Sequence, residues 1–72
     1  MPHGNQHWVE ERDFAIEEWT LDGVSLVEVL GRVHLLEMAH QAFLAAKKMR
    51  PAGRLTLRRG AQVLREWLPK PL

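Results

Sequence analysis

The chain has 72 residues, 46% of them hydrophobic, with no cysteine and a formal net charge of +1. That length allows one domain near the lower limit for folding without a disulfide, a metal or a partner subunit, so self-association is expected. The lack of cysteine excludes a disulfide framework, a thiolate nucleophile and a cysteine-rich zinc site and suits a reducing cytoplasm, while the apolar content and three tryptophans argue against intrinsic disorder.

In chain order, the opening "MPHGNQHW" carries neither the basic start nor the apolar stretch of a signal peptide, and no apolar run reaches the roughly 18 residues of a membrane span. The expectation is a cytoplasmic protein with a disordered segment over residues 1–7, a single domain over 8–67 and a Pro-rich tail over 68–72. Next comes "FAIEEWTL", followed by Asp22-Gly23 and "VSLVEVLGR". An Asp-Gly pair suits a two-residue type I′ turn, so residues 14–21 and 24–30 read as a hairpin ended by Gly31. That turn sets Leu21 opposite Val24, Trp19 opposite Leu26, Ile16 opposite Val29, and Glu17 unfavourably opposite Glu28. An acidic helix over residues 9–19 is the alternative for the first half of the hairpin.

The clearest periodicity runs from Leu35 to Met49. At about 100° per residue, Ala45, Met38, Met49, Ala42, Leu35, Ala46, Ala39, Phe43 and Leu36 fall in one half-circle, with Lys47, His40, Glu37, Lys48 and Gln41 in the other. Leu44 alone interrupts the polar half. Glu37 in the first turn and Lys47, Lys48 and Arg50 at the end suit the helix dipole, and Pro51 and Gly53 stop propagation. A helix begun at Ser25 would face two ways, since Leu26, Val29, Leu30 and Val33 fall on the polar half.

In "RLTLRRGAQVLREW", Leu55 and Leu57 alternate with Thr56 and Arg58, then Val63 and Leu64 follow a break at Arg59-Gly60, which reads as a second hairpin. Two registers are open: Leu55 with Leu64, or Leu57 with Val63. "LPKPL" cannot continue a sheet and is expected to be extended. The fold class is therefore α+β, a small antiparallel sheet of about four strands in the order ββαββ with one amphipathic helix packed on one face. The other face must be polar, paired with a second subunit or used for binding.

Charge is divided along the chain. Residues 1–36 hold two basic against seven acidic side chains, net −5, and residues 37–72 hold eight against two, net +6. The two halves either pair within the fold or leave a basic face for an acidic partner or a nucleic acid. The candidate binding surface is Lys47, Lys48, Arg50, Arg54, Arg58, Arg59 and Arg65. It would give salt-sensitive backbone affinity, although Trp67 is the only aromatic near it for stacking. The competing reading of the hairpin arginines is protection of an exposed strand edge. Leu44 and Trp67 are the candidate interface residues, and one or two of Trp8, Trp19 and Trp67 are expected in the core.

No catalytic residue, metal ligand or cofactor is assigned. Ser25, Thr20 and Thr56 lie in no glycine-rich elbow, and Glu17 and Glu18, adjacent on a strand, point to opposite faces. His3 with His7 and His34 with His40 have no carboxylate at ligand spacing.

Over residues 34–64, "HLLEMAHQAFLAAKKMRPAGRLTLRRGAQVL" resembles a group of short, functionally uncharacterised bacterial proteins with an "AHQAFLAA"-like helix, a Pro-containing break and a "RLTLRRGAQVL"-like hairpin. That resemblance implies the ββαββ fold and transfers no site. The element order is also similar to that of small anti-CRISPR proteins, an analogy of architecture alone. The expectation is a small non-enzymatic binding protein acting through protein–protein contacts as a homodimer. The alternatives are a module that binds nucleic-acid backbone through the Arg-rich hairpin, and a phage- or host-encoded inhibitor or accessory subunit of a larger nucleoprotein machine.

Overall fold

A computed structural model describes residues 13–70. The expectations for residues 1–7, for His3, His7 and Trp8, and for the end of the tail at 71–72 lie outside the described residues. Strands β1 (Phe14–Trp19) and β2 (Leu26–Val33) precede a helix α1 (Leu36–Met49), and β3 (Arg54–Arg59) and β4 (Gln62–Trp67) follow it. The sheet is antiparallel, in the spatial order β2-β1-β3-β4. The fold is thus the expected α+β arrangement, and residues 14–19 form a strand rather than part of a helix.

Period-two alternation decides which residues meet the helix. Phe14 and Ile16 on β1 and Leu55 and Leu57 on β3 point toward α1 and join Ala39, Phe43 and Ala46 in one core, with Ile16, Leu55 and Leu57 at most 1% exposed. Burying each of these large side chains stabilises the fold by about 1.5–3 kcal/mol. Among the described residues only eight apolar side chains are buried, three of them alanine, so this core sits at the small end for an independent domain.

Both hairpins differ in detail from the sequence reading. In the first, the Gly23 N–H donates to the Thr20 carbonyl, and the Asp22 carboxylate accepts from the Val24 N–H and the Thr20 hydroxyl. Gly23 alone in this loop has a positive φ, +78°, which rules out type I′, because that turn needs Asp22 left-handed as well. Trp19 still faces Leu26, but extra residues at Val27 and Leu30 shift the ladder, so that Glu17 faces Val29 and Ile16 faces Gly31. The strand also runs through Gly31 to Val33 instead of ending there. In the second hairpin Leu55 faces Trp67 and Leu57 faces Arg65, so neither anticipated register forms. The turn falls one residue later, at Gly60-Ala61, and a bulge at Leu64 moves the pairing by one more.

Candidate interaction grooves beside the helix

The basic surface read from the sequence is divided by the fold. Alternation on β3 sends Arg54 and Arg58 to the face away from α1, while Arg59 stacks over Phe14 and Arg65, opposite Leu57, sits on the helix side. β3 is an internal strand, so Arg58 and Arg59 guard no edge; the edges are β2 and β4.

Three of the seven cations are neutralised internally. The Arg58 guanidinium donates two hydrogen bonds to Glu17, from Nε at 2.6 Å and Nη2 at 3.0 Å, and a third to the Gly60 carbonyl. Arg50 bridges Glu18 and Glu28, which face each other across β1 and β2, and so relieves a like-charge pair. Arg54 pairs with Glu66 and donates to the Leu21 carbonyl. The carboxylate hydrogen bonds, from Glu17 to Arg58 and from Glu18 then Glu28 to Arg50, raise both guanidinium pKa values above the ordinary arginine value. The acidic and basic halves therefore do pair within the fold, through Glu17, Glu18 and Glu28. Lys47, Lys48, Arg59 and Arg65 make no ion pair among the described residues.

The uncovered face of the sheet is closed by polar groups. Glu17, only 2% exposed, lies under Arg58, and the Trp19 indole N–H donates to the Thr56 hydroxyl at 2.9 Å. Among the described residues no buried side-chain polar atom lacks a partner. Leu26 and Val63, paired with Trp19 and Arg58, lie on the same face and are 46% and 53% exposed, so it is polar at its centre and apolar toward both edges.

The helix lies over the middle of the sheet and leaves a groove on each flank. The flank toward β4 holds His40, Phe43, Leu44, Lys47 and Arg65 around a cavity of about 170 Å³. Here four anticipated residues meet, because the Lys47 ammonium also sits 5.1 Å from the Trp67 ring and 5.9 Å from that of Phe43. Trp67 is half-buried against the core and donates to the Pro51 carbonyl at 3.4 Å, so it acts as a wall of the domain rather than a protruding anchor. Leu44 is exposed.

The flank toward β2 is larger, about 310 Å³, and apolar, with Leu30, Ala42, Ala45 and Met49 as walls and Gly31 as floor. A Cβ built on Gly31 would meet no atom of the described residues within 4 Å, and Gly31 has no positive φ. The backbone does not demand glycine there; its effect is to keep the groove open. Glu28 and Arg50 close one end.

The sequence reading placed this flank in the core, and the structure corrects it. Ala39, Phe43 and Ala46 alone among helix residues are buried, while Leu35, Met38 and Met49 are 56%, 58% and 69% exposed. The apolar half-circle is wider than one sheet can cover, and its second stripe, Met38, Ala42, Ala45 and Met49, points sideways, with Leu35 just ahead of it at the extended N-cap. The signal was present: those five positions alternate spacings of three and four, a seam of the kind one helix shows another. No protein-family model, curated protein or solved structure matches the chain.

Proposed function

We propose that this chain is a small non-enzymatic binding protein that works through protein–protein contact, as a homodimer, and that the contact is made by the β2 flank of α1. The observation that carries this reading is the groove floored by Gly31, which a Cβ could enter without meeting any described residue, beside a helix stripe whose largest members are more than half exposed. Apolar side chains left exposed side by side on a domain with so small a core support this reading. Light scattering tests it. The expected mass is near twice 8.3 kDa for the native chain and near 8.3 kDa for Ala42→Lys. A native mass of one chain at every micromolar concentration overturns the reading.

A second reading is favoured by Lys47, Lys48, Arg59 and Arg65, whose charges no carboxylate among the described residues answers. In that reading they bind nucleic-acid backbone. Titrating single- and double-stranded DNA at low and near-physiological salt would show affinity falling steeply with salt, and reversing Arg59 and Arg65 to Glu would remove it. No binding at low salt ends this second reading.

A further inference from the structure

We infer that the partner copy docks its helix antiparallel to α1, about a two-fold axis near Ala42, an inference that rests on the homodimer reading above. Closed two-fold pairing makes the same patch serve both copies, so the stripe must match itself. Its side chains are unequal: Leu35 and Met38 lie at the N-terminal end, Ala42 and Ala45 in the middle and Met49 at the C-terminal end. A parallel pair would set Met38 against Met38 and leave a void where Ala45 meets Ala45. The antiparallel pair lays Met38 over the other copy's Ala45, large on small, on both sides of an Ala42–Ala42 crossing where the backbones approach most closely, and Leu35 meets Met49 at the two open ends.

Charge selects the same direction. Glu37 in the first turn and Lys48 in the last are both exposed, on the side of α1 facing away from the sheet. Antiparallel pairing sets each copy's acidic end beside the other's basic end, where a parallel pair sets like against like. The helix dipoles then also oppose. Gly31 has its place in this arrangement, because the side chain it lacks would fill the space beside Ala42 and Ala45 toward which the second helix leans.

The chain has no cysteine, so engineered thiols report the geometry without background. Three samples are oxidised at micromolar concentration: Leu35→Cys alone, Met49→Cys alone, and the two variants mixed after each has been shown to be folded and dimeric. Only residues whose Cα atoms approach within about 7 Å are bridged. The expected result is a crosslinked dimer formed mainly in the mixture, joining one Leu35→Cys chain to one Met49→Cys chain, with little in either single sample. Crosslinking in each single sample overturns the inference in favour of a parallel pair. A dimer that crosslinks in none of the three places the contact elsewhere, and also overturns it while leaving the homodimer intact. A monomer throughout removes the homodimer reading itself.

Discussion

The two flanks of α1 are opposite sides of the same helical turns, yet they meet water differently. Toward β4, Lys47 extends over two aromatic rings and Arg65 stands at the rim, so apolar surface is capped by charged heads that remain hydrated. Toward β2, alanine and methionine face a glycine floor, and only the Arg50–Glu28 pair at one end is polar. The difference separates a finished surface from an unfinished one. The β4 flank has its own lid, and in the proposed homodimer the β2 flank is completed by the second copy.

The largest effect that bears on this comparison comes from the core beneath both flanks. Leu57, fully buried, supports the helix from the sheet. Leu57→Ala is expected to cost roughly 2–5 kcal/mol and to lower the urea midpoint of both flanks together. Separate transitions for the two flanks would show that they are not parts of one cooperative unit. Next in size is Arg58→Ala, which strips the partner from the nearly buried Glu17 on the opposite face. About 2–3 kcal/mol is expected, below the figure for a fully buried pair because Arg58 is partly exposed. Self-association, corrected for unfolded chain, should not change.

Much of this architecture was legible in the sequence. The first hairpin is announced by the Asp22-Gly23 turn signal and the β-branched run after it, the second by alternation in residues 54–59 and the break at Gly60, and the helix by its period over 35–49 and the Pro51 and Gly53 stop; each is a local preference that tertiary packing reinforced. Register was not legible. The pairing of Trp19 with Leu26 survives next to the turn, and the bulge residues Val27 and Leu30 then displace every later pair. Bulges answer to sheet twist and to where the core needs Leu30, and neither is written in a six-residue window. The site was half legible. The basic residues were visible as a cluster, but strand alternation splits Arg54 and Arg58 from Arg59 and Arg65, and long-range pairing with Glu17 and Glu18 neutralises Arg58 and Arg50. The apolar arc was visible too, but its division into an inward and a sideways stripe depends on where the sheet lies beneath the helix.

Smaller effects sharpen the contrast between flanks. Lys47→Ala removes a cation over Trp67 and Phe43, and about 0.5–1 kcal/mol of stability should go with it, accompanied by a change in tryptophan fluorescence. The proposed dimer should persist, since this flank lies outside the proposed contact; its loss would mean that the contact has been placed on the wrong side of the helix.

The smallest effect belongs to the β1–β2 loop. The hydrogen bond from the Thr20 hydroxyl, then that from the Val24 N–H, hold the Asp22 carboxyl below its ordinary value. A carboxyl depressed in the folded state contributes stability that is present above its unfolded pKa, about 3.9, and is lost as pH falls through the folded value. Asp22→Asn should therefore weaken the pH dependence of unfolding below about pH 4 and leave neutral pH almost untouched. An unchanged acid limb would mean that those hydrogen bonds do not discriminate between the two forms of the carboxyl.

The most direct test of the central claim is sedimentation equilibrium of the native chain beside Gly31→Val. A Cβ at Gly31 meets no atom of the described residues within 4 Å and valine has a stronger preference for strands, so the variant is expected to fold at least as well as the native chain. It should nevertheless sediment as a single chain of about 8.3 kDa, whereas the native protein is expected to sediment near twice that mass. A Gly31→Val protein that is folded and dimerises as tightly as the native chain would contradict the account.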